Sequence, residues 1–134
     1  MPNSKPIIWV IDDTDLDSFI CKKTINNVLK DTVVEILSDG QTAIDRLKEL
    51  AEMQHQLMPD YIFLDINMPG MNGWEILEEF DRLNLFRDKN VHIFVLSSSI
   101  FVEDITRSKA CPLVEAFISK PITSDLIRTI FAAA

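Results

Sequence analysis

Short apolar runs alternate with longer amphipathic stretches along this chain. The runs IIWVI (7–11), VVEIL (33–37), YIFL (61–64), VHIFVL (91–96) and AFI (116–118) are rich in β-branched and aromatic residues and predict strands. Most lack the polar–apolar alternation of a half-exposed sheet, so burial on both faces is expected, as in a central parallel sheet. Between them, Ile20, Cys21, Thr24, Ile25 and Val28 share one face of a helix predicted over roughly 15 to 30. Ala43, Ile44, Leu47, Leu50 and Ala51 do the same after Gly40, and Ile76, Leu77, Phe80 and Leu83 form a third stripe. Leu126, Ile127, Ile130 and Phe131 form a short last one. The segment 101–110 has the thinnest apolar set, Val102, Ile105 and Ala110. Five strand–helix units with short connections predict an α/β fold with right-handed crossovers. No repeat, low-complexity tract or linker interrupts the pattern. Residues 1–134 are therefore expected to form one domain, the chain stopping in the fifth helix at Ala-Ala-Ala with no room for a second.

Composition narrows the function classes. Thirteen basic against 21 acidic residues leave a net charge of −8, which argues against nucleic acid as a partner, because phosphate-backbone binders need a basic surface. An acidic face suits a basic protein patch or divalent cations. Cys21 and Cys111 fall in no metal-ligand spacing and read as reduced thiols of a cytoplasmic protein. The five apolar residues at 7–11 precede two aspartates and are too few for a signal peptide or a membrane span, so no membrane partner is expected.

Ligands of open parallel sheets bind beyond the carboxyl ends of the strands. The first predicted strand ends at Asp12 and Asp13, the third at Asp65, the fourth at Ser97 and the fifth at Ser119 and Lys120. Ser38 and Asp39, after the second, lie to the side. Asp13, Thr14 and Asp15 also suit a helix cap, Ser97 a bond to its own loop and Lys120 a solvated position. Asp65 is harder to explain structurally, since a carboxylate closing a buried run is costly unless a cation meets it. Crowded carboxylates raise one another's pKa unless a cation intervenes, and oxygen-only ligands favour Mg²⁺. With the metal in place Asp65 is free to act as a nucleophile towards a phosphoryl group whose oxygens meet Lys120 and the Ser97 hydroxyl.

These residues resemble the receiver domains of two-component response regulators over essentially the whole chain. The acid pair lies in "VIDDTD", the acceptor in "LDINMPGMNG", the hydroxyl in "VLSSS" and the lysine in "SKP". The resemblance implies a flavodoxin-like three-layer fold, with a five-stranded parallel sheet of order 2-1-3-4-5 and five helices. It implies that Asp65 becomes an aspartyl phosphate. Asp13, Asp65 and the backbone carbonyl of Asn67 would hold Mg²⁺, with Asp12 assisting through water. Ser97 and Lys120 would meet the phosphoryl oxygens, Phe117 would take the aromatic switch position, and Lys120–Pro121 would be cis. The implied donor is a sensor histidine kinase or histidine phosphotransfer protein, and the output is a changed protein-binding surface. Two residues depart from the commoner pattern: Ser97 replaces a threonine, and Phe117 a tyrosine. No output domain follows, as in a stand-alone receiver or one cut from a longer protein.

Two other classes compete. A Mg²⁺-dependent phosphohydrolase of the haloacid dehalogenase type also uses a strand-end aspartate, but needs Asp where this chain has Asn67 and usually carries a cap domain. A flavodoxin-like carrier needs a Ser/Thr/Gly phosphate loop after the first strand, where this chain has carboxylates. Trp9 is expected inside the sheet, Trp74 partly exposed, His55 and His92 without ligand roles, and Met53, Met58, Met68 and Met71 as gap fillers.

Overall fold

The computed structural model describes residues 5–132. The strands β1 (Ile7–Ile11), β2 (Val33–Leu37), β3 (Tyr61–Asp65), β4 (His92–Ser97) and β5 (Val114–Ser119) form one parallel sheet in the order β2-β1-β3-β4-β5. Helices α1 (Asp15–Val28), α2 (Gly40–Met53), α3 (Gly73–Arg82), α4 (Val102–Ala110) and α5 (Ser124–Ala132) alternate with them, and a 3₁₀ turn (His55–Leu57) precedes β3. Strand order and helix count match the flavodoxin-like expectation.

The sheet separates two cores. Along β1, Ile8 and Val10 pack with Cys21 and Ile25 of α1 and Ile127 of α5. Trp9 and Ile11 point the other way, to Ala43, Ile44 and Leu47 of α2 and Ile76 and Phe80 of α3. The period-two geometry of a strand is present but hidden in the sequence, because both faces are apolar. This holds only for the three inner strands. In β2, Val33 and Ile36 are exposed, and in β5 Glu115 and Ala116 are, because an edge strand has one neighbour and is incompletely covered by helices.

Further differences follow from packing. Helix α1 buries Ser18, Cys21 and Ile25 and leaves Ile20 exposed. Helix α4 turns Val102 and Ala110 outward and buries only Ser108. It packs beside β5 and is linked to α3 through Trp74, whose indole Nε1–H donates to Asp104 Oδ1 at 3.1 Å while the Arg107 guanidinium lies 4.9 Å from the indole centroid. Trp74 is consequently buried, not partly exposed. Met58 and Met68 do fill core space, whereas Met53 is exposed. Trp9 is buried in the sheet as expected.

The loop after Asp65 is shaped by two glycines. Gly70 adopts φ +76°, which favours glycine. Gly73 lies against the chain leaving β3, where an added Cβ would come within 2.6 Å of the Ile66 Cα. Asn72 then starts α3 with a capping box, its Oδ1 accepting from the Glu75 N–H while Glu75 Oε1 accepts from the Asn72 N–H. The loop thus folds back tightly over the end of β3, beside Asp65.

Candidate functional site

Each candidate stands at the carboxyl edge because its strand ends there. Asp12 follows β1, Asp65 closes β3, Ser97 closes β4, and Lys120 follows β5. Asp12, Asp65 and Ser97 are all buried. The Lys120 N–H donates to the Ser97 carbonyl at 2.8 Å, tying the two loops together, and Lys120–Pro121 is cis, as the resemblance implied.

The Lys120 ammonium is the centre of the cluster. It donates to Asp12 Oδ2 at 2.8 Å and to Asp17 Oδ2 at 2.9 Å, and lies 3.4 Å from Asp65 Oδ2. Burial alone would lower its pKa. Hydrogen bonds to Asp12 and Asp17 and the charge of Asp65 outweigh that and hold it above the ordinary lysine range. Burial pushes the Asp65 carboxyl up to about 6. The Asn67 N–H opposes that shift, the Asp12 charge adds to it, and Lys120 pulls it back.

Asp12, Asp13 and Asp65 each bring a carboxylate oxygen to within 4.8 Å of the others. One ammonium does not neutralise this all-oxygen set, and its spacing and chemistry fit a hard divalent cation. Helix capping does not account for the acid run. Thr14 occupies the N-cap of α1 without a side-chain bond, and its own N–H donates to Asp12 Oδ1 at 2.9 Å. Asp39 does cap α2, accepting from the Thr42 N–H at 2.7 Å.

Two contacts were not foreseen in the sequence. Asp17, in the first turn of α1, is a direct partner of Lys120; its only sequence signal is its place in the acidic run that opens the helix. The Asn67 amide Nδ2 donates to Ser97 Oγ at 2.7 Å, while the Asn67 N–H donates to Asp65 Oδ1 at 3.0 Å. Asn67 therefore links the acceptor, through its backbone N–H, to the hydroxyl, through its side-chain amide. Ser97 Oγ also accepts from the Ser99 N–H at 3.1 Å, so both acceptor positions are used and its O–H remains to donate. Phe117 stands apart from the cluster. On β5 it is in register with Val95 of β4 and half-buried against the α2/α3 core. His92 Nδ1 lies 2.6 Å from Glu115 Oε1, away from these residues.

Comparison with known proteins identifies the family and the fold. The family described as the response regulator receiver domain matches residues 8–132. The nitrate/nitrite response regulator protein NarL of Escherichia coli K12 is 35% identical over 137 aligned positions, which span the whole chain and 57% of NarL. The solved two-component response regulator from Cytophaga hutchinsonii is 27% identical with a TM-score of 0.87, covering 98% of this chain and 97% of that one. The Mn²⁺-bound form of response regulator Rcp1 is 26% identical with a TM-score of 0.73, covering 95% and 90%. No described helix is long and apolar enough to cross a membrane. The chain belongs to the response regulator receiver domain family, signalling modules whose known function is to accept a phosphoryl group.

Proposed function

We propose that Asp65 accepts the phosphoryl group, from a phosphohistidine on a sensor histidine kinase or histidine phosphotransfer protein in the cytoplasm. The carrying observation is a buried carboxylate at a strand end, with an ammonium 3.4 Å away and two further carboxylates beside it. An Asp65 oxygen forms the new O–P bond as the P–N bond to the donor imidazole breaks. The electron pair stays on that nitrogen. Asp12, Asp13, Asp65 and the Asn67 carbonyl would hold Mg²⁺, a reading supported by the oxygen-only donor set and by the Mn²⁺-bound Rcp1 neighbour. When bound, the cation offsets negative charge on the transferring phosphoryl oxygens. Lys120 donates to one of those oxygens, and the free Ser97 O–H donates to another. The domain catalyses only its own phosphorylation and dephosphorylation. Its output is a surface change read by a protein, with Ser97 and Phe117 as the switch residues.

The dehalogenase-type alternative has no support at the position that distinguishes it. That residue is Asn67, and its amide is a hydrogen-bond donor to Ser97 instead of an acid or base. Incubation with acetyl phosphate and Mg²⁺ is expected to add one phosphoryl group by intact mass in the native chain and none in Asp65→Asn. Equal labelling of both would refute the assignment.

A further inference from the structure

We infer that Asp17 is a positioning residue that competes with the incoming phosphoryl group for the Lys120 ammonium, an inference that rests on the function proposed above. An ammonium has three N–H donors. Two are committed to Asp12 and Asp17 at 2.8 and 2.9 Å, and the third faces Asp65 at the looser distance of 3.4 Å. The two short bonds hold the ammonium between Asp12 and Asp17, so moving it closer to a phosphoryl oxygen on Asp65 means lengthening one of them.

The two partners differ in what release would cost. The Asp12 side chain is 1% exposed, so solvent cannot take the place of the ammonium there. The Asp17 side chain is 37% exposed and can exchange the lysine for water. Asp17 is therefore the partner released. Until then it draws Lys120 towards α1 and adds a negative charge where an anionic donor must approach. Asp15, in the same helical turn, is exposed and makes no bond to Lys120, which provides an equal-charge control.

The test is the initial labelling rate of the full chain by acetyl phosphate at saturating Mg²⁺, over a range of donor concentrations. In this reaction the donor P–O bond breaks and acetate leaves with the electron pair. If Asp17 restrains Lys120, Asp17→Asn raises the limiting rate constant about five- to tenfold, the loss of one charge-assisted hydrogen bond from the resting site. Asp17→Ser is read in parallel and should do the same, while Asp17→Glu restores the slow rate. Asp15→Asn should change only the half-saturating donor concentration, by an amount that shrinks with added salt. A limiting rate in Asp17→Asn and Asp17→Ser that is unchanged, reduced, or matched by Asp15→Asn would overturn the inference while leaving the proposed function standing. A native chain that does not label at all would instead refute the function.

Discussion

Asp65 is the residue at which folding and function pull apart. Its ordinary pKa of 3.8 is raised to about 6 by burial, so between those two values the folded protein holds a proton that the unfolded chain has lost. Stability therefore falls as pH rises from about 4 to 6 and stays reduced above that, where the buried carboxylate is charged. In metal-free buffer Asp65→Asn is expected to be the more stable protein at pH 7.5, by about 2–3 kcal/mol, with the gain shrinking as pH approaches 4. Thermal melts in EDTA across that range check it. A less stable variant at neutral pH, or a gain independent of pH, would mean that the Asp65 charge is not held against a desolvation cost. The acids, the serine and the lysine were legible because strand ends converge in any parallel sheet, whichever residues build it. Asp17 and the Asn67 side chain were not, since their bonds span 103 and 30 residues and depend on how a helix and a loop are rotated.

At the scale of elements, α4 is the least committed part of the fold. It fully buries no apolar residue, only Ser108, and besides packing beside β5 it is tied to α3 by the Trp74 indole bond to Asp104 and the stacked Arg107. Trp74 directly follows Gly73, the residue pressed against Ile66, so this clasp starts at the acceptor loop. Replacing Trp74 by Phe removes the N–H and leaves the Asp104 carboxylate without that donor. A loss of about 1–2 kcal/mol is expected, with faster amide exchange concentrated in residues 102–110. Unchanged exchange there would show that α4 is anchored elsewhere. The five strands were visible as apolar runs and four of the helices as apolar stripes, whereas the edge places of β2 and β5 came from the resemblance and not from their own residues. VVEIL and AFI look as buried as IIWVI, because a strand's exposure is set by its number of neighbours in the sheet. The clasp was equally hidden, since an indole that closes a polar contact is indistinguishable in sequence from one that fills core.

For the whole molecule, the question is where a charge placed at one edge can be felt. The two cores flanking β1, β3 and β4 are filled by fully buried side chains, and close packing resists small displacements. Both edge strands have slack, and the edge that adjoins Ser97 is that of β5. There β5 is a half-exposed edge strand whose ladder to β4 shifts register between Ile93 and Phe94, and α4 has its single buried residue. Between them and the acceptor edge lies the loop after Ser97, carrying Ile100 and Phe101 at 66% and 57% exposure and leading into Val102 of α4 at 73%. A phosphoryl group on Asp65 that draws on the Ser97 O–H would pull this loop, and Phe117 on β5 is already half-buried against the core that would receive it. Phenylalanine has no hydroxyl to hold it at the surface, so the resting form should lie closer to the active arrangement and the change should be small. Amide exchange with and without beryllofluoride and Mg²⁺ is expected to differ mainly between residues 97 and 120. A response confined to α1 and α2 would show that the signal leaves through the opposite side, past Asp17 instead of Ser97.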